Sequence, residues 1–113
     1  MLTGKKVLVI GLARSGKAAI RLLHHLNATI TVNEAKEAND IPEYQQYVDM
    51  GIEMVTGSHP DELFERDFDF VIKNPGINYH KPFILRLKQR QIPVYTEIEL
   101  AFQVAKKQHY IGV

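Results

Sequence analysis

Short apolar runs and stretches of helical spacing alternate along this chain. Lys6–Ile10 is an apolar run rich in β-branched residues and predicts a first strand. From Ser15 to Leu26 the apolar positions Ala18, Ala19, Leu22, Leu23 and Leu26 share one helical face, while Arg14, Lys17, Arg21 and His25 fall largely elsewhere. Ala28–Val32 predicts a second strand, Pro42–Met50 a helix closed by Gly51, and Ile52–Val55 a third strand. In GSHPDELF, Ser58 is placed to cap a helix, Pro60 suits its first turn, and Asp61 and Glu62 suit its positive end. Phe68–Lys73 follows as a strand, NPGI as a turn, Pro82–Arg90 as a helix and Ile92–Tyr95 as a fifth strand. Thr96 and Glu99 form a capping box for a helix over Glu97–Lys107, and Tyr110–Val113 is a further apolar run with strand character. This alternation predicts an α/β fold with a mainly parallel sheet of about five strands.

Composition narrows the picture. A chain of 113 residues is one domain, close to the lower limit for a nucleotide-binding α/β unit. It stops partway into an apolar run with no turn after it, so it is expected to be a piece of a longer protein; the alternative is a short terminal strand. Its 45% apolar and 24% charged content is that of a soluble globular chain. The net charge of +1 makes no electrostatic case for nucleic acid or an anionic membrane surface. No apolar run approaches the roughly 18 to 20 residues of a membrane span, and MLTGKKVLVIGLARSG does not have the form of a signal peptide. The absence of cysteine excludes disulfides, a thiolate nucleophile and cysteine-ligated zinc, and suits a cytoplasmic protein.

In an open parallel sheet, ligands bind beyond the carboxyl ends of the strands. Three segments belong there: Gly11–Gly16, Asn33–Ala35 and Asn74–Ile77. GLARSGKA (11–18) is one residue short of two phosphate-binding patterns. Ala18 stands where a triphosphate loop needs a magnesium-binding hydroxyl, and Ala13 stands where a dinucleotide turn has its middle glycine. Amides around Arg14, Ser15 and Gly16 would open a helix and suit an anion, with the Ser15 hydroxyl adding to them. The competing reading is a tight turn that binds nothing. Asn33 and Glu34 follow Gly11 by 22 and 23 positions, near where a nucleotide-binding unit places its ribose ligand. An amide can read a base or sugar edge and a carboxylate can take two hydroxyls; a solvated polar loop is the alternative. Asn74, Pro75 and Gly76 form a rigid turn in which glycine is free to take positive φ. Lys73 beside it either faces an anion or, as is commoner, is solvated. The five histidines, His24, His25, His59, His80 and His109, show no metal-ligand spacing and read as surface or capping residues. No nucleophile–base arrangement or carboxylate pair stands out. The chain has ligand-binding features and no evident catalytic centre or metal site.

With KKVLVIGLARSGKAA, GSHP (57–60), KNPGI (73–77) and IPVYTEIELA (92–101) in place, the chain resembles over nearly its whole length the N-terminal domain of the Mur ligases, in particular the D-glutamate-adding branch. The resemblance implies a Rossmann-like three-layer domain over 1–95 that holds the UDP part of UDP-MurNAc-L-Ala. Residues 96–113 would be a linker helix leading into a central ATPase domain. The substrate residues it implies are Arg14, Ser15 and Gly16 for the diphosphate, Asn33, Glu34 and Ala35 for uracil, and Asn74, Pro75 and Gly76 closing over the nucleotide. Some members carry Asp at the position of Asn33 and a basic residue at that of Ala35. In the complete enzyme, a monomer of peptidoglycan synthesis, ATP with Mg2+ would phosphorylate the substrate carboxylate and the amine of D-glutamate would attack the acyl phosphate. No group for that step and no bound cofactor is expected in 1–113. The competing functions are an NAD(P)-binding domain of an oxidoreductase and a nucleotide-sensing domain without a reaction of its own. Ile98, Ala101, Phe102, Val104 and Ala105 are expected to pack on the central domain.

Overall fold

The computed structural model describes residues 2–77 and 80–112, apart from the side chains of Ser15 and of 106–112. Five parallel strands, β1 (Lys6–Ile10), β2 (Thr29–Glu34), β3 (Glu53–Thr56), β4 (Phe70–Lys73) and β5 (Val94–Tyr95), form one sheet in the order β3-β2-β1-β4-β5. The helices are α1 (Arg14–His25), α2 (Tyr44–Asp49), α3 (Pro82–Gln89) and α4 (Glu97–Gly112). The chain crosses from one side of β1 to the other between β3 and β4. The reversal of strand order therefore lies between β1 and β4, and a crevice opens beyond their carboxyl ends.

Alternation along the strands divides the core in two. Val7, Val9, Ile30, Val32 and Ile72 pack with Ala19, Ile20 and Leu23 of α1 and Leu100 of α4. Leu8, Ile10 and Val71 pack with Leu63, Phe64, Ile84 and Leu87 on the opposite face. The three inner strands β1, β2 and β4 therefore have both faces covered, whereas the edge strands β3 and β5 are only partly buried.

Several local expectations change. Strand β2 runs two residues beyond Val32, so Asn33 and Glu34 belong to the sheet and not to the loop after it. Pairing with β3 explains the extension, since Asn33 and Glu34 lie in register with Val55 and Thr56. Residues Asp61–Glu65 form a 3-10 turn whose cap position is Pro60, and no side chain caps it. Ser58 instead offers its carbonyl to the amide of Asn33. The Thr96–Glu99 capping box forms as expected, with Glu99 N–H donating to Thr96 Oγ1 (3.3 Å) and Thr96 N–H to Glu99 Oε1 (3.0 Å). Helix α4 continues to Gly112, so 110–112 extends it and does not begin a strand. A helix satisfies its own backbone, whereas a strand there would need a neighbouring edge.

Helix α4 packs on α1, β4 and β5. Leu100 is buried and Val104 is partly buried against this domain's own core, so Val104 is already partnered. Ile98 and Phe102 are 71% and 68% exposed and form the outward face.

Candidate functional site

The glycine turn is built by two close approaches. Gly11 has φ +92°, and its N–H donates to the Asn33 carbonyl at 2.9 Å. A Cβ on Gly11 would lie 3.1 Å from Asn74 Cβ, so the first and third candidate segments meet there. A Cβ on Gly16 would overlap the carbonyl oxygen of Gly11. Gly16 is thus the residue that lets α1 settle onto the end of β1, a requirement distinct from any ligand contact. Ala13 caps α1 without a side-chain hydrogen bond, which leaves the first-turn amides beside exposed Arg14 open. The proposed hydroxyl contact of Ser15 lies outside the described residues.

Glu34 staples the turn from below. Its Oε1 accepts from Leu12 N–H (2.8 Å) and its Oε2 from Lys36 N–H (2.9 Å). Exposed Ala35 stands between these two contacts. A carboxylate has about four acceptor directions, so both oxygens keep capacity for a ligand hydroxyl. Across the crevice, Asn74 Oδ1 accepts from Gly76 N–H (2.9 Å) and the Asn74 carbonyl from Ile77 N–H (2.9 Å). A turn closed in this way needs no left-handed residue, and Gly76 does not use the positive φ open to a glycine. Lys73 is buried, contrary to the solvated reading. Its Nζ donates to the Ile77 carbonyl at 2.8 Å, tying the turn to the end of β4. Burial pushes this ammonium below its ordinary value.

Asn33 and Glu34 are consecutive in β2 and point to opposite faces of the sheet. Of the two side chains, only that of Glu34 reaches the glycine turn. Asn33 is wholly buried, and its Nδ2 donates to the carbonyls of Val55 (3.1 Å) and Ser58 (2.8 Å). Those carbonyls can only accept, so Oδ1 must be the atom that faces His59 Nδ1 at 2.6 Å. Hydrogen-bond logic therefore assigns the imidazole proton to Nδ1. The ring stacks on Phe83 with centroids 4.6 Å apart, so His59 is a half-buried member of the fold and not the surface residue expected. Burial holds its imidazole below the ordinary value.

A group with a lowered folded value contributes full stability above the unfolded value, about pH 6.5, and loses it as pH falls through the folded one. Urea midpoints at pH 7.5 and pH 5 should therefore fall further in the wild type than in His59→Phe. Equal falls would show that His59 does not couple to folding.

A cavity of about 200 Å3 collects Leu12, Ala13, Glu34, Lys36, Asn74, Lys17 and Glu43. It is smaller than the roughly 300–1,000 Å3 of common ligand pockets. Lys17 and Glu43, which sequence reasoning passed over, form an ion pair at 2.9 Å on its wall. The signals for Lys17 were its place in the loop-like GLARSGKA and the helical spacing that put it off the apolar face; nothing along the chain pointed to Glu43. A larger groove of about 550 Å3 lies between the 61–65 turn and α3 and includes none of the expected substrate residues. Among the described residues, no cluster of histidine and carboxylate side chains is arranged for a metal ion, and no helix is long and apolar enough to cross a membrane.

Comparison with known proteins identifies the family to which the chain belongs. The family described as Mur ligase MurD-like, N-terminal domain, matches residues 5–96. The UDP-N-acetylmuramoylalanine–D-glutamate ligase of Streptococcus agalactiae serotype Ia is 52% identical over 109 residues, 96% of this chain and 24% of that protein. The enzyme of the same name from Enterococcus faecalis is 49% identical over 102 residues, covering 90% of this chain and 22% of the relative. The chain thus spans about a quarter of the length of the curated relatives it matches. Among solved structures, scyllo-inositol dehydrogenase from Lactobacillus casei superposes with a TM-score of 0.60 at 19% identity, covering 95% of this chain and 35% of that one. The precorrin-2 dehydrogenase SirC gives 0.57 at 18% identity over 82% of this chain and 44% of its own. At such identities these two show the fold, which is Rossmann-like. The matched profile spans every strand of the sheet and all three segments at its carboxyl edge, and the chain belongs to the MurD-like N-terminal domain family of the Mur ligases.

Proposed function

We propose that this chain is the substrate-binding portion of an ATP-dependent ligase of peptidoglycan synthesis, holding the UDP moiety of UDP-MurNAc-L-Ala for addition of D-glutamate by the full-length enzyme. The observation that carries this reading is the crevice in which Gly11, Glu34 and Asn74 meet, in a chain about half identical to ligases of that name. In this reading the diphosphate lies on the open amides at Arg14–Gly16 and Asn74–Gly76 forms the opposite wall. Glu34 and Ala35 face the uridine, and Asn33 acts from behind them by holding the 55–59 segment. Residues 1–95 constitute the binding domain, and 96–113 lead toward a central domain that brings ATP and Mg2+. The protein acts as a cytoplasmic monomer without nucleic acid, and the chain by itself does not turn over ATP.

The likeness to dehydrogenase structures supports the fold and gives no weight to NAD(P) binding. Protein-observed NMR titrations with UDP, UDP-MurNAc-L-Ala and NADH test the proposal. Shifts at Gly11–Gly16, Glu34–Ala35 and Asn74–Ile77 are expected with the uridine compounds alone. Shifts there with NADH but not UDP would overturn the reading in favour of an oxidoreductase domain.

A further inference from the structure

The Lys17–Glu43 pair is the unexplained feature of the cavity wall. Lys17 follows Gly16 in the first turns of α1, and helical side chains lean toward the N-terminus of their helix. Lys17 lines the same cavity as Leu12 and Ala13, so its side chain stands on the side of the turn that presents the open amides. In the structure the ammonium is engaged by Glu43 Oε1 at 2.9 Å, from the residue that precedes α2. The partner oxygen, Glu43 Oε2, is buried and is the only such side-chain atom without a hydrogen bond among the described residues. A buried carboxylate oxygen with no donor is unfavourable, so the arrangement leaves one of its own groups unsatisfied. The pair favours the charged form of both members, raising Lys17 and lowering Glu43 from their ordinary values. Both side chains remain partly exposed, at 41% and 31%, so the contact can exchange without unpacking the core.

We infer that Glu43 is an internal anion that holds Lys17 over the empty site, and that the ligand's diphosphate takes its place. Lys17 becomes a phosphate ligand and Glu43 is released, ending the unsatisfied state of Oε2 as it turns to solvent. Lysine suits this exchange because its ammonium is a compact charge on a flexible stem and needs no fixed fork geometry. The residue that makes GLARSGKA look like a triphosphate loop thus acts on a diphosphate, under the control of a carboxylate 26 positions away. The inference rests on the proposed diphosphate position at Arg14–Gly16.

Opposite signs in two near-isosteric variants test it. Affinities for UDP, ADP and inorganic pyrophosphate are measured by NMR titration on the 113-residue chain, alongside thermal melts that verify folding. Glu43→Gln removes the competing charge and is expected to bind UDP and pyrophosphate about threefold more tightly. Lys17→Gln is expected to weaken both by about fivefold or more, with a shallower dependence on salt. If UDP binds the wild type but both variants weaken it, or neither changes it, the inference falls and the uridine reading survives. If the signs are opposite as expected but UDP binds no better than ADP, the exchange stands and the uridine reading falls. If none of the three ligands shifts the wild type or Glu43→Gln at millimolar concentration, both are overturned.

Discussion

Replacing Gly16 by alanine is expected to destabilise the chain by about 3 kcal/mol, the high end of what an overpacked contact costs. Helix propensity taken alone predicts the opposite sign, since alanine inside a helix is better than glycine by up to about 1 kcal/mol. The reason propensity loses is the backbone of Gly11: the new methyl would occupy the space of its carbonyl oxygen. That carbonyl belongs to a residue held at φ +92° and pinned by its N–H to Asn33, so it cannot retreat without breaking the end of β1. The neighbouring methyl of Val9 closes the same space from below. Chemical denaturation of the two proteins settles the matter. A Gly16→Ala midpoint at or above that of the wild type would mean that helix and strand do not approach as closely as described.

The second large effect is expected at Asn33, where Asp is the substitution to make. Asn33→Asp should cost about 3 kcal/mol at neutral pH, within the range for a buried polar group that loses its partners and gains a charge. The carboxylate would face the carbonyls of Val55 and Ser58, which repel it, and would keep only the His59 Nδ1–H donor. The same substitution should raise the His59 pKa, because an adjacent carboxylate favours the imidazolium and opposes the effect of burial. Denaturation and an NMR titration of the His59 ring read the two effects separately. Loss of stability without an upward move of His59 would show that the pair does not form, whereas no loss would show that Asn33 is not the bolt of the 55–59 segment.

Much of this arrangement was legible along the chain because it depends on local rules. Lys6–Ile10 is a strand with the bounds its apolar run predicts, and α1 begins and ends within one residue of the predicted limits. The Thr96–Glu99 box is a four-residue device that needs no distant partner, and it forms as read. The three candidate segments reach one edge of the sheet because parallel strands put every strand-to-helix turn on the same side. Failures came where a distant residue decided the outcome. Pairing with β3 drew Asn33 into the sheet, and its side chain was then committed to carbonyls 22 and 25 residues away. Lys73 reads as a solvated strand end until the Ile77 carbonyl supplies its partner under the turn.

Local periodicity, turn chemistry and glycine spacing therefore determined the α/β class, the number of strands and the edge at which a ligand would meet the chain. Each of these follows from residues within one or two turns of one another. Tertiary structure alone decided the rest: that Gly16 is required by the carbonyl of Gly11, that Glu34 and Asn33 serve opposite faces, and that Lys17 is held by Glu43. These outcomes depend on the distance between segments brought together by folding, and no pattern along the chain encodes that distance.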